Sequence, residues 1–155
     1  MTVRFANEKD LPAVNRLRRE VNDLHVEGRP ETFKPGFCPE LENYIYTVMA
    51  APALDVVVAE EAGEICGFAV IHEIRKPENP YKLADQFLDI DEFGVAASHR
   101  RRGVGTALID FCKTVAKERG FDRLELNMWE FNRGALEFYE AAGFTTYRRY
   151  MELKL

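Results

Sequence analysis

The stretch His99-Arg100-Arg101-Arg102-Gly103-Val104-Gly105-Thr106-Ala107-Leu108 sets three arginines and two glycines between a strand-like run and an amphipathic helix. On its amino-terminal side, Phe87-Leu88-Asp89-Ile90-Asp91 alternates apolar and acidic residues, which is the period of a strand. On its other side, Val104, Leu108, Phe111, Cys112, Val115 and Ala116 recur at helical spacing, with Asp110, Lys113, Thr114, Lys117 and Glu118 on other faces. Gly103 and Gly105 allow close approach of the backbone to a bulky anion. The first amides of a helix have no internal partner and sit at the positive end of its dipole, so a pyrophosphate fits there. Taken alone, the turn also fits a plain structural turn with a solvated basic cluster, and the rest of the chain has to decide between the two.

At 155 residues, the chain is expected to form one domain around one core. Its 46% hydrophobic and 30% charged residues are those of an ordinary globular protein. No apolar run approaches the ~20 residues of a membrane span, and Met1 to Glu8 lacks the basic-then-apolar layout of a signal peptide, so a cytoplasmic protein with no membrane partner is expected. Cys38, Cys66 and Cys112 are odd in number and widely spaced, which suggests neither a disulfide framework nor a metal site. A net charge of −5 argues against a nucleic-acid partner. An acidic chain that gathers Arg100, Arg101 and Arg102 at one turn suits a small polyanion instead, and its remaining surface favours a cationic second substrate.

From end to end, the patterns predict a strand over Thr2–Ala6, a helix from about Asp10 to His25 and a second from Leu41 to Ala50. A hairpin follows, with strands Leu54–Glu60 and Ile65–Ile74 joined at Glu61-Ala62-Gly63-Glu64. The acidic strand and the helix after the glycines come next, then a strand over Arg123–Met128, a helix over Asn132–Ala142 and closing strand structure over Phe144–Leu155. This order predicts a mixed sheet covered by helices.

Within that order, Arg100-Arg101-Arg102-Gly103-Val104-Gly105 matches the Q/R-x-x-G-x-G/A motif of the GNAT superfamily of N-acetyltransferases at every defined position. A second signature of that family, an Asn followed seven residues later by a Tyr that precedes a G-F pair, reads here as Asn132, Tyr139 and Gly143-Phe144. The chain therefore resembles a GNAT domain over nearly its whole length. The resemblance implies an α/β (α+β) fold: a single N-acetyltransferase domain over 1–155, with about four helices flanking a mixed central sheet of six to seven strands, splayed between the fourth and fifth. It also implies acetyl-CoA as co-substrate, no metal, and a primary amine of a small molecule, peptide or protein as acceptor. By analogy, Phe93, Gly94 and Val95 would pair with the pantetheine arm, and Arg100, Arg101, Arg102, Gly103, Val104, Gly105 and Thr106 would surround the pyrophosphate. Asn132 would face the pantetheine or the thioester. A homodimer is left open.

Acetyl transfer to an amine needs a neutral nucleophile, a polarised carbonyl and a stabilised thiolate. An alkylamine with a pKa near ~10.4 arrives protonated at neutral pH, so a carboxylate must take its proton directly or through water. Asp89, Asp91 and Glu92 are the candidates; strand alternation puts Asp89 and Asp91 on one face and Glu92 on the other, unless a bulge intervenes. The resemblance to polyamine acetyltransferases, which carry a Glu-Asp pair where this chain has Asp91-Glu92, ranks Asp91 first and Glu92 second. It also assigns the Val95 amide to the carbonyl oxygen and the Tyr139 phenol to the leaving sulfur. His25, His72 and His99 do not group with a cysteine, and Trp129 and Phe131 read as packing or as an aromatic wall for the acceptor. The alternative to catalysis is a coenzyme A-binding sensor or interaction module.

Overall fold

Two adjacent runs of β-branched residues build the centre of the sheet. The computed structural model describes all 155 residues and forms strands β1 (Thr2–Phe5), β2 (Leu54–Glu61), β3 (Glu64–Lys76), β4 (Asp85–Val95) and β5 (Leu124–Leu126). The helices are α1 (Leu11–Gly28), α2 (Pro39–Ala50), α3 (Val104–Glu118) and α4 (Arg133–Ala141). The strands lie in the order β1-β2-β3-β4-β5, antiparallel as far as β4, with β5 parallel to β4.

Alternation along the strands sends side chains to two cores. Val57, Ala59, Ala69, Ile71, Leu88 and Ile90 face α3, where Leu108, Ile109, Cys112 and Val115 cover them. Val56, Val58, Phe68 and Val70 face the other way, onto Leu11, Val14 and Leu17 of α1 and Ile45 and Val48 of α2. The hairpin between β2 and β3 turns through Ala62 and Gly63, whose φ values of 53° and 82° match the twist of the flanking strands. The chain enters α1 through a capping box: the Lys9 N–H donates to Asn7 Oδ1 at 3.0 Å and the Asn7 N–H to Asp10 Oδ2 at 2.8 Å.

The expected mixed α/β sheet with four flanking helices is present, with some differences and with a bulge that the strand reading left open. The sheet has five strands rather than six to seven, because Phe144–Leu155 forms no strand. β5, at three residues, offers little edge, and the segment after α4 is tied to the body by side chains: the Tyr147 hydroxyl donates to Glu125 Oε2 at 2.7 Å and Arg29 Nη2 to Glu152 Oε2 at 3.1 Å. α1 also continues past His25 to Gly28. Finally, β4 carries a bulge: Ile71 pairs with Ile90 and Val70 with Glu92, leaving Asp91 as the extra residue. No helix is long and apolar enough to cross a membrane.

β4 and β5 pair only at Leu88–Leu124, Asp89–Glu125 and Ile90–Leu126. From Asp91 to Val95, β4 runs on without a partner on that side, so the two strands part into a wedge.

Candidate active site

At the outer end of the wedge, the chain leaves β4, makes a 3-10 turn over Ala97–His99 and enters α3 through Gly103. Gly103 has a φ of +83° and open space where a Cβ would stand, so glycine is required there by backbone conformation alone. Arg101 is also left-handed, with a φ of 62°. The result is a run of six main-chain N–H groups, from Arg101 to Thr106, that donate to nothing within the chain. Val104 turns its side chain into the core and Thr106 lies at the surface. Arg100 folds back so that its Nε donates to the Val95 carbonyl at 3.4 Å. Arg102 is paired with Glu61 Oε2 at 3.0 Å, with His99 Nε2 at 3.6 Å from the same oxygen.

Gly105 departs from the reading of a residue kept small for the anion. A Cβ there would fall 2.9 Å from Cζ of Phe138 on α4, so its small size serves the contact between the two helices. Gly94 is small for a similar reason, since a Cβ would lie 2.6 Å from Phe68 Cε1. Asn132 is the N-cap of α4, its Oδ1 accepting from the Ala135 N–H at 3.2 Å.

Phe93 carries the wedge inward. Its ring lies 5.8 Å from that of Phe138 and 5.9 Å from that of Tyr139, which also packs 5.7 Å from Phe144. Burial in this aromatic group pushes the Tyr139 phenol up to about 12, and its hydroxyl has no hydrogen-bond partner in the chain. A neutral phenol with a free O–H is a donor, fit to meet a soft anion.

The three acids separate sharply. Glu92 is returned by the bulge to the α1 face, where both its oxygens accept from Arg18, at 2.7 Å from Nε and 3.0 Å from Nη2. Arg18 is buried and also donates to the Leu41 carbonyl at 2.6 Å and to Asn15 Oδ1 at 2.9 Å, so this carboxylate is engaged as a structural brace. Asp89 is half-buried beside Glu125 in the β4–β5 ladder and opposite His72. Burial, then repulsion from Asp91 and Glu125, pushes its carboxyl up to about 6. Asp91, on the bulge, is exposed and has no partner.

Beyond the acids stands an aromatic wall that periodicity did not reveal. His25 stacks on Phe33 at 5.0 Å, and Trp129 meets Phe33 at 5.3 Å and Phe131 at 6.5 Å. Gly28 closes it, because a side chain there would collide with the Phe131 ring. Burial lowers the pKa of His25, with Glu92 partly opposing it. Tyr44 of α2 completes this side, its phenol held up by burial and by the charges of Asp91 and Glu92. No group of three or more His, Cys, Asp or Glu side chains is arranged to hold a metal.

The profile of the Acetyltransferase (GNAT) family matches residues 18–144, from the middle of α1 to the end of the aromatic group around Tyr139. The chain belongs to the GNAT acetyltransferase family. Streptothricin acetyltransferase of Streptomyces lavendulae is 32% identical to this GNAT protein over 82 residues, which are 53% of this chain and 39% of that one, so the match spans well under half of that relative. An uncharacterized N-acetyltransferase of Lactobacillus delbrueckii subsp. lactis is 24% identical over 148 residues, covering 94% of this chain and 84% of that one. Among solved structures, a tetramutant of the BH1408 protein of Bacillus halodurans superposes with a TM-score of 0.95 at 26% identity, covering all of both chains. The aminoglycoside N-acetyltransferase AAC(6')-Iy in complex with CoA shares the fold, with a TM-score of 0.73 at 18% identity over 99% of this chain and 98% of that one.

Proposed function

We propose that this GNAT protein is, over residues 1–155, a single N-acetyltransferase domain that moves an acetyl group from acetyl-CoA directly to a primary amine of a small molecule, peptide or protein, within a ternary complex. The observation that carries this reading is the run of six unpartnered N–H groups from Arg101 to Thr106, set where β4 and β5 part. A pyrophosphate accepts from such amides at the positive end of α3, with the Arg101 side chain close by. The partnerless edge of β4 from Phe93 to Val95 suits the amide-bearing pantetheine arm, which leads the thioester inward toward Tyr139.

In this reading, the exposed carboxylate of Asp91 takes the ammonium proton, directly or through water, while Glu92 braces α1 against β4. The Val95 main-chain amide donates to the carbonyl oxygen as it gains charge. The Tyr139 hydroxyl donates to the departing sulfur. Direct transfer is supported by the cysteines: burial raises the Cys66 thiol and pushes that of Cys112 up to about 12, and Cys38 lies away from the strands, at the start of α2. The exposed carboxylate of Asp91, together with the wall of His25, Phe33, Trp129 and Phe131, favours a cationic acceptor with an apolar body.

Release of free thiol from acetyl-CoA across polyamines, aminoglycosides, amino acids and peptide amino termini tests the proposal. Turnover that depends on the amine is expected. Tight coenzyme A binding with no thiol release above hydrolysis for any amine would replace it with a binding module.

A further inference from the structure

The three arginines ahead of α3 carry unequal shares of free charge. Arg100 turns its Nε back to the Val95 carbonyl at 3.4 Å and the Arg101 side chain has no partner, while Arg102 donates from Nη2 to Glu61 Oε2 at 3.0 Å. Glu61 ends β2 and precedes the turn at Ala62-Gly63, so the tip of the hairpin stands beside the anion seat and cancels one of its charges. The same oxygen has a second neighbour. His99 Nε2 lies 3.6 Å from it, and the Ser98 hydroxyl, 2.9 Å from Nδ1, fixes the ring in that direction. The two neighbours differ in exposure, the His99 side chain being 13% exposed and that of Arg102 54%. Water screens the arginine pair, which is the weak, exchangeable kind, whereas the shielded histidine gives Glu61 a neighbour to keep when Arg102 leaves. Arg102 also supplies one of the six free N–H groups of the seat, so rotation about its side-chain bonds alone brings the guanidinium to an anion held there.

We infer that Glu61 is a built-in counter-ion: it holds Arg102 until a phosphate group of the coenzyme displaces it, and this exchange lowers the affinity for coenzyme A. The inference rests on the reading of the α3 amides as the pyrophosphate seat, and it adds to that seat an acid from outside the glycine turn. A phosphate takes a guanidinium in the same two-pronged geometry as a carboxylate and carries more charge, so it is fit to displace Glu61. Without a ligand, the carboxylate offsets the repulsion among Arg100, Arg101 and Arg102. Parting Arg102 from Glu61 is subtracted from the binding of every ligand that uses Arg102, and a ligand that does not use it bears no such cost. Coenzyme A offers two groups of this chemistry, its pyrophosphate and the 3′-phosphate of its ribose. Dephospho-coenzyme A lacks the second, which tells them apart.

Calorimetry with coenzyme A compares the parent with Glu61→Gln, Arg102→Gln, the double variant and Glu64→Gln, which removes an exposed acid opposite Glu61 across the hairpin. Glu61→Gln is expected to tighten binding about three- to tenfold, with an unfolding midpoint close to the parent's, because an exposed pair contributes little stability. Arg102→Gln is expected to weaken binding about tenfold. In the double variant the gain from Glu61→Gln should vanish, leaving the affinity within about twofold of Arg102→Gln alone, since the acid acts only through the arginine. Glu64→Gln should change the affinity by less than about twofold, which separates a contact from the general field of the hairpin. The same series with dephospho-coenzyme A names the phosphate: a gain of equal size assigns Arg102 to the pyrophosphate, and a gain confined to coenzyme A assigns it to the 3′-phosphate. Unchanged or weaker binding in Glu61→Gln overturns the inference, as does a gain that persists without Arg102 or is matched by Glu64→Gln. Those results leave the α3 seat standing, whereas a parent that binds no coenzyme A removes the seat itself and the inference with it.

Discussion

Glu92 and Arg18 form a two-pronged ion pair, at 2.7 Å and 3.0 Å, that ties the strand carrying the candidate base to the helix lining the acceptor side. The bulge at Asp91 makes the pair possible by returning Glu92 to the face of α1, and it leaves Asp91 as the free acid. Because Arg18 is 6% exposed, neutralising its partner strands a buried guanidinium. Glu92→Gln is therefore expected to cost about 2–4 kcal/mol of stability, since an unmatched buried charge is the expensive case. A urea melt checks it; a midpoint equal to the parent's would show that Arg18 finds other partners. Acetylation per folded molecule should fall only a few-fold, in contrast to Asp91 variants.

The contact between Gly105 and Phe138 gives a second test. Gly105→Ala is expected to destabilise the free protein by about 1–3 kcal/mol through overpacking against the Phe138 ring. Adding Phe138→Leu should recover part of that loss, because the two changes share one volume. Additive losses in a thermal double-mutant cycle would separate the residues. Calorimetry on the same variants reports whether coenzyme A affinity follows the α3–α4 contact.

Much of this site was readable from residue pattern, and what escaped has a common physical character. The β-branched runs, the hairpin at Ala62-Gly63 and the helix after Gly103 follow local periodicity and turn chemistry, which one sequence exposes. The partner of Glu92 does not, being 74 positions away, although Arg18 falls on the apolar stripe of α1 with Leu11, Val14 and Leu17, a spacing at which a charged residue signals a buried partner. The grouping of His25, Phe33, Trp129 and Phe131 joins a helix end to two loops and has no period to read. The strand pattern of the last residues is plain in the sequence, yet pairing needs an edge, and the three residues of β5 offer little of one.

Asp89 links the site to pH. Its carboxyl is pushed up to about 6 in the folded protein, whereas the unfolded value is near ~3.9. Between those values the folded state binds the extra proton, so this contribution to stability is fully present below pH ~4 and is lost as pH rises through about 6. Asp89→Asn removes the penalty of the buried charge. Relative to the parent, the variant should gain about 1–2 kcal/mol between pH 4.5 and 7.5, a figure reduced for the solvent that reaches this half-buried group. Urea midpoints at the two pH values decide it, and parallel shifts in parent and variant would remove Asp89 as the cause.

Tyr139→Phe keeps the aromatic group with Phe93, Phe138 and Phe144 and deletes only the hydroxyl. With the phenol pushed up to about 12, the O–H stays protonated across the neutral range and can donate to the leaving sulfur. The variant is expected to lose on the order of 10²-fold in kcat with little change in coenzyme affinity. A kcat within a factor of about two of the parent's would return Tyr139 to a packing role.

Asp91 is the acid with no partner, and its test turns on the protonation of the acceptor. If it takes the amine proton, Asp91→Asn should depress kcat/KM most near neutral pH, where an alkylamine with a pKa of about 10.4 is almost wholly ammonium. Raising the pH supplies a growing fraction of neutral acceptor, so the missing base matters less and the rate should climb back toward that of the parent. Glu92→Gln is the control: its engaged carboxylate predicts a loss of stability without that recovery. Asp89→Asn provides the second comparison, since Asp89 loses its proton near pH 6 and would impose its own inflection there if it served as the base. A pH–rate profile for Asp91→Asn that runs parallel to the parent's would reject Asp91, and an inflection lost only in Asp89→Asn would transfer the role one step along β4.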